Sequence, residues 1–397
     1  MSANFDEFPE LDRQQFIRHN PRFQEKIFGR SGLLPFWVAD TDFKVMPELI
    51  RALTERAELG LFGYETPTAA LREAIAHWHH SRYGSEVVGK ELLFTPSVNT
   101  SIAIVISECS RAGDGVIVQP PVYSAFMSTI KKLSRQVVYN PLIATEHGYR
   151  MDFDDLEKQA AKPENKIMIL CSPHNPTGRV WQPAELQQVC DICARHDVLL
   201  ISDEIHLDIV YSPHQFTATL GIYAPLGENI VMVSSAGKSF GIPGLVSSYL
   251  FTPSRSLRTT IQKYIQRYHL DKSNAFSNTA IATVYRQGSD WLSSMLAYLQ
   301  GNIDYIDDFL RNELPAVRFR PPEGTYQLWL DMRGLGMDNS QLSSFLVEEA
   351  GLALNPGYSY GPGGDGFARM NIASPRRLIR QGMEQLAAAV KRKSGNA

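Results

Sequence analysis

Ile230-Val231-Met232-Val233-Ser234-Ser235-Ala236-Gly237-Lys238-Ser239-Phe240 is the stretch from which the fold can be read. Its apolar start predicts a buried strand, and its Ser/Gly continuation predicts a loop. Lys238 then stands at the carboxyl edge of a sheet, where open α/β folds place their ligands. A lysine amine there can form a Schiff base with a carbonyl compound.

Two upstream segments repeat the pattern. Val198-Leu199-Leu200-Ile201 runs into Ser202-Asp203-Glu204-Ile205-His206, which puts Asp203 at a strand's carboxyl end. Ile167-Met168-Ile169-Leu170 runs into Cys171-Ser172-Pro173-His174-Asn175-Pro176-Thr177-Gly178, where Asn-Pro and Thr-Gly force a loop. A pyridoxal site needs these residue types. It uses an amine for the carbonyl, a carboxylate to keep the ring nitrogen protonated, and an amide to donate to a ring oxygen.

Asn-Pro-Thr-Gly, Asp-Glu and Ser-x-x-Lys, in this order, resemble the class I/II aminotransferase family of fold-type I pyridoxal phosphate enzymes. The resemblance runs from about Val38 to Pro375. Five further segments make the chain most similar to the cystathionine β-lyase branch of carbon–sulfur lyases, the branch named for MalY and PatB. They are Val38–Phe43, Phe62-Gly63-Tyr64, Ser202–His206, Gly237–Pro243 and Pro356–Gly361.

The resemblance implies a site. Lys238 is the catalytic residue and carries the cofactor, pyridoxal 5′-phosphate. The backbone amides of Val98 and Asn99, with Ser235, hold the phosphate. Tyr123 stacks on the ring, and Asp203 faces its nitrogen. Asn175 and His206 serve its oxygen, Asn175 also touching substrate. Arg369 grips the substrate carboxylate, since a planar guanidinium offers two parallel bonds. Tyr326, like Tyr358, is a pocket wall. Tyr64 reaches the cofactor of a neighbouring subunit, so a homodimer with shared sites is implied. One departure stands out: many aminotransferases carry a phosphate-clamping arginine eight residues after the lysine, and this chain has Val246 there. Asp40 and Asp42 are expected in structural or capping roles.

The expected fold is α/β. A large domain, residues 48–290, carries a mostly parallel, helix-flanked sheet that binds the cofactor. Residues 1–47 and 291–397 form a smaller α+β domain. Trp291–Leu314 and Ser340–Ala350 read as helices, and Gly324–Asp331 and Ala368–Ile372 as strands. A helix starts near Ser101, capped by Asn99 or Thr100.

Composition sets limits on function. A net charge of −3 with no basic stripe argues against nucleic acid. No run of about 18 apolar residues is present, so no membrane span is expected. The acidic start is not a signal peptide. The four cysteines suggest no disulfide framework, and Cys190 and Cys193 read as buried thiols in a helix. No metal site is expected, and a reduced cytoplasm fits. Three functions remain open. In a β-lyase a thiolate leaves Cβ, and pyruvate and ammonia follow. In an aminotransferase the amino group passes to a 2-oxo acid. The third is a regulatory binding protein that keeps the fold. The β-lyase reading is favoured, with cystathionine or another cysteine S-conjugate as substrate.

Overall fold

The computed structural model describes residues 4–10, 12–222 and 226–395. Seven strands form its main sheet: β1 (Leu93–Thr95), β2 (Gly115–Val118), β3 (Gln136–Tyr139), β4 (Asn165–Cys171), β5 (Leu199–Asp203), β6 (Ile230–Ser234) and β7 (Ser248–Phe251). Their order is β1-β7-β6-β5-β4-β2-β3. All pairings are parallel except the two made by β7. β2, β5 and β6 are buried at every position, as expected for strands covered by helices on both faces. Because β7 runs against its neighbours, it begins at the edge where β4, β5 and β6 end. The β6–β7 loop, which carries Lys238, therefore stays at that edge.

Each flanking helix has a local cause. α1 (Val98–Cys109) starts three residues earlier than the sequence suggested, because Ser97 is the cap and accepts from Thr100 N–H. Thr100 itself lies inside the first turn. α2 (Pro183–Arg195) has proline in its first turn and a capping box between Gln182 and Glu185. It buries Cys190 and Cys193 as free thiols. No helix among the described residues is long and apolar enough to cross a membrane.

A second sheet holds β8 (Arg318–Phe319), β9 (Gln327–Asp331), β10 (Asn355–Pro356) and β11 (Phe367–Asn371), in the order β8-β9-β11-β10. The expected alternation of β9 is absent from its burial, because both of its faces are covered. Leu328 and Leu330 lie in the core, while Trp329 stacks on Phe367, 5.1 Å between centroids. The expected helix over 340–350 is α-helical at Asn339–Ser344 and widens into a π-helical turn at Phe345–Glu349. The long helix α3 (Ser289–Glu313) joins the two sheets. Its buried Asn302 donates to the carbonyls of Ile372 and Ser374, both at 3.0 Å, and so fixes the exit of β11. At the N-terminus, Leu34–Pro35 pairs in parallel with Leu352–Ala353.

Gly178 shows how closely the site loop is held. Its φ is +72°, and an added Cβ would lie 2.5 Å from Pro322 Cβ. Gly178→Ala is expected to cost about 1–3 kcal/mol and to lower the urea midpoint. An unchanged midpoint would show that the loop yields freely.

Candidate active site

A cavity of roughly 240 Å³ opens at the carboxyl edge of the main sheet. Its wall contains Val98, Asn99, Tyr123, Asn175, Asp203, His206, Ser235 and Lys238. These eight expected site residues come from five separate strand-to-helix or strand-to-strand connections. Arg369 lies next to this wall and is 3% exposed. Its Nη1 donates to Asn175 Oδ1 at 3.3 Å, and its Nη2 donates to the Trp37 carbonyl at 2.7 Å and to Asn355 Oδ1 at 3.1 Å. All of these acceptors are neutral, and Nε has no partner. Among the described residues, then, Arg369 is a buried cation with no carboxylate against it.

The contact with Arg369 also orients Asn175. A guanidinium donor requires the amide oxygen, which leaves the amide NH₂ for a ligand. The Asp203 carboxylate accepts one hydrogen bond, from Ile205 N–H at 3.1 Å. Burial pushes Asp203 up to about 7 and brings Lys238 down to about 8. For Lys238, the negative charge of Asp40 acts against that burial. Burial also lowers His206 to about 3, so its ring is neutral, and Nδ1 is buried with no partner.

Two expected residues fall elsewhere. Tyr326 does not line the cavity. It is fully buried behind Ala39, whose carbonyl accepts from its hydroxyl at 3.4 Å, and it meets the His206 ring edge-on. Tyr358 is half-exposed and lines a separate groove with Ile27 and Phe28. Tyr64 is 96% exposed and lies outside this chain's own cavity. Val246 stands at the cavity rim with φ +28°, a conformation unfavourable for a β-branched residue. Ser235 Oγ is engaged locally, donating to the Ser247 carbonyl and accepting from Gly237 N–H.

Apart from the Val38–Phe43 segment, which the resemblance marks, other site residues have no sequence signal. Lys238 Nζ donates to the Ala39 carbonyl. Asn371 Nδ2 holds the same segment through the carbonyls of Val38 and Asp40. Behind the lysine, Ser239 Oγ donates to Asp208 Oδ2 at 2.6 Å, and Trp78 Nε1 donates to the other oxygen at 2.9 Å. Asn355 reaches Arg369 only because β10 pairs with β11 in that register.

The chain belongs to the aminotransferase class I and II family, whose model matches residues 34–386. It is 34% identical to the cystathionine beta-lyase PatB of Bacillus subtilis, over 98% of this chain and all of that protein. It is 36% identical to protein MalY of Escherichia coli, over 92% of this chain and 93% of that one. Cystalysin from Treponema denticola, solved with pyridoxal 5′-phosphate, superposes with a TM-score of 0.95. That match is 29% identical and covers 99% of this chain and all of the other.

The pKa values set a pH dependence for the cofactor-free protein. Asp203 titrates near 7 when folded and near 3.8 in a free chain. The stability it contributes is therefore whole below about 3.8 and is lost as pH rises through about 7. Asp203→Asn removes that loss. Without cofactor, this variant should melt above the wild type at pH 8, and the difference should shrink towards pH 4. A wild type that melts higher at pH 8 would show that the carboxylate is compensated within the chain.

Proposed function

We propose that this chain is a pyridoxal phosphate-dependent carbon–sulfur β-lyase. It cleaves cystathionine or a related cysteine S-conjugate to a thiol, pyruvate and ammonia. The observation that carries this reading is the uncompensated Arg369, which lies beside an amine, Lys238, and a carboxyl, Asp203, at one cavity. An α-amino acid supplies the missing anion. The names of the PatB and cystalysin relatives support the lyase and its cofactor.

The cavity suits the cofactor: among the described residues His206 Nδ1 and Arg369 Nε are buried without partners, and the Arg369 contact takes the oxygen of Asn175 and leaves its amide NH₂. Val98 and Asn99 are the first residues of α1, so their N–H groups have no acceptor within the helix, and the positive end of the helix dipole favours phosphate. Ser235 joins them. Asp203 would take the ring nitrogen, Tyr123 a ring face, and Asn175 and His206 the ring oxygen. When bound, pyridoxal phosphate supplies an aldehyde for amines and a ring that takes up the electron pair left on Cα.

The chain's own residues supply the rest. Arg369 binds the substrate carboxylate, fixing the amino acid through two bonds. Lys238, titrating near 8, is partly unprotonated at neutral pH and accepts the Cα proton. Asp203 would hold a negative charge against the ring nitrogen. The neutral His206 donates a hydrogen bond without adding charge. The thiolate then leaves Cβ.

The same reading divides the chain at residues 48–290 against 1–47 with 291–397. The separate sheets and the pairing of Leu34–Pro35 with Leu352–Ala353 support that division. It also makes the protein a cytoplasmic homodimer. Leu61, Phe62 and Tyr64 are exposed at 68%, 63% and 96%. Phe62 stacks on Phe276, next to the Ser277–Leu245 contact and the cavity rim at Val246. A patch of this kind supports an interface, in which Tyr64 would reach a partner's site.

Purified protein supplied with cofactor should be yellow, and borohydride should remove the visible band. Cystathionine should yield pyruvate and free thiol, and Lys238→Ala should lower turnover about 10²–10⁴-fold. If no pyruvate forms while an amino acid and 2-oxoglutarate exchange amino groups, the enzyme is an aminotransferase. Mixed Tyr64→Ala and Lys238→Ala subunits should regain activity, each hybrid holding one intact site. No recovery after confirmed exchange would separate the two sites.

A further inference from the structure

The segment Trp37–Asp42 lies across the site. Its carbonyls at Trp37 and Ala39 accept from Arg369 and Lys238, and Thr41 Oγ1 would lie 2.5 Å from a Cβ added at Gly241, in the lysine turn. It is also fastened by Arg18, which is 1% exposed. Arg18 Nε donates to the Pro35 carbonyl at 3.0 Å. Its Nη1 reaches the Asp40 carbonyl at 3.2 Å and Asp40 Oδ1 at 3.3 Å. Its Nη2 donates to Ser374 Oγ at 2.6 Å and lies 3.4 Å from Asp42 Oδ2.

Two carboxylates share that single guanidinium, and they are not alike. Asp42 is saturated: His19 Nε2 lies 2.7 Å from Oδ1, and Ser374 Oγ donates to Oδ2 at 2.7 Å. These partners, with Arg18, hold its carboxyl below the usual range. Asp40 has only Arg18 at 3.3 Å among the described residues, and burial holds it above the usual range. The groups around Asp40 are Arg18, Asp42, His19, Tyr326 and Lys238. Those around Lys238 are Asp40, Asp203, Arg369 and the neutral His206. Lys238, whose Nζ is held by the carbonyl of the adjoining Ala39, is thus a second cation whose charge acts on Asp40.

We propose that Asp40 is a positioning residue for the reactive lysine. Its carboxylate, fixed by Arg18 one residue along from the Ala39 carbonyl that holds the Lys238 nitrogen, supplies negative charge to the surroundings of that nitrogen and keeps it ready to take and release a proton. Asp42 fastens the segment, and its charge falls on Arg18, His19 and Asp40 rather than on Lys238. This rests on the lysine reading above, and the experiment separates the two. If no visible band forms with pyridoxal phosphate, the function reading fails. If the band forms, only Asp40 is under test.

The measurement is the pH midpoint of the visible spectrum of the loaded protein, with melting temperature in parallel. Asp40→Asn should move the midpoint down by roughly half a unit or more, since removing a nearby negative charge destabilises the protonated nitrogen. Asp40→Glu, which keeps the charge, should stay near the wild type. Asp42→Asn should lower the melting temperature and leave the midpoint in place. The proposal is overturned if Asp40→Asn leaves the midpoint unmoved, if Asp40→Glu moves it as far as Asp40→Asn does, or if Asp42→Asn shifts it equally. Failure of Asp40→Asn to fold while Asp42→Asn folds would make Asp40 a structural residue and would overturn it as well.

Discussion

A buried guanidinium, Arg369, with no carboxylate against it among the described residues governs this site. Removing a cation from water costs several kcal/mol unless something compensates. Around Arg369 the compensation is only partial and entirely neutral: two amide oxygens, one backbone carbonyl and the face of the Tyr360 ring, 5.4 Å from the guanidinium carbon. The chain could have placed an aspartate there and gained stability. Instead it brings three distant segments, the Asn175 loop, β10 and Trp37–Asp42, to hold the arginine in place while leaving its charge unspent. An anionic ligand then binds where the fold has already met the cost of desolvation.

The same economy shapes the cofactor cavity. Asp203 and Lys238 lie at one wall, and burial moves them towards each other on the pH scale, to about 7 and about 8. Neither group is comfortable in its charged form alone. Perturbed groups of this kind gather at functional sites because the environment that destabilises them also makes them reactive. The antiparallel β7 matters here for a geometric reason: it returns the chain to the carboxyl edge and keeps Val246 and Ser247 in the cavity wall.

Much of this was legible in the residues. Val116–Val118, Ile167–Leu170, Val198–Ile201 and Ile230–Val233 are continuous apolar runs because parallel strands are buried on both faces. Their polar followers mark the sheet edge, which is why Asn175, Asp203 and Lys238 are legible as site residues, while Ser235 is legible through the family resemblance. The helix cap was misplaced by a few residues because serine, asparagine and threonine at 97, 99 and 100 are all good caps, and only backbone geometry selects Ser97. Tyr326 was assigned to the wall because a tyrosine in a strand has no pattern that says which neighbour it faces.

The sequence by itself determined the sheet, the order of the motifs and the chemical types at the cavity, because those follow from local hydrophobic periodicity and from residue chemistry. Tertiary structure alone decided the electrostatics. Arg369 and Asn175 are 194 positions apart, and Arg18 and Ser374 are 356 apart. Whether a charge is matched or left open depends on which of these distant groups meet after folding. No local pattern encodes that distance, so the bare charge on Arg369 and the unequal surroundings of Asp40 and Asp42 exist only in the folded chain.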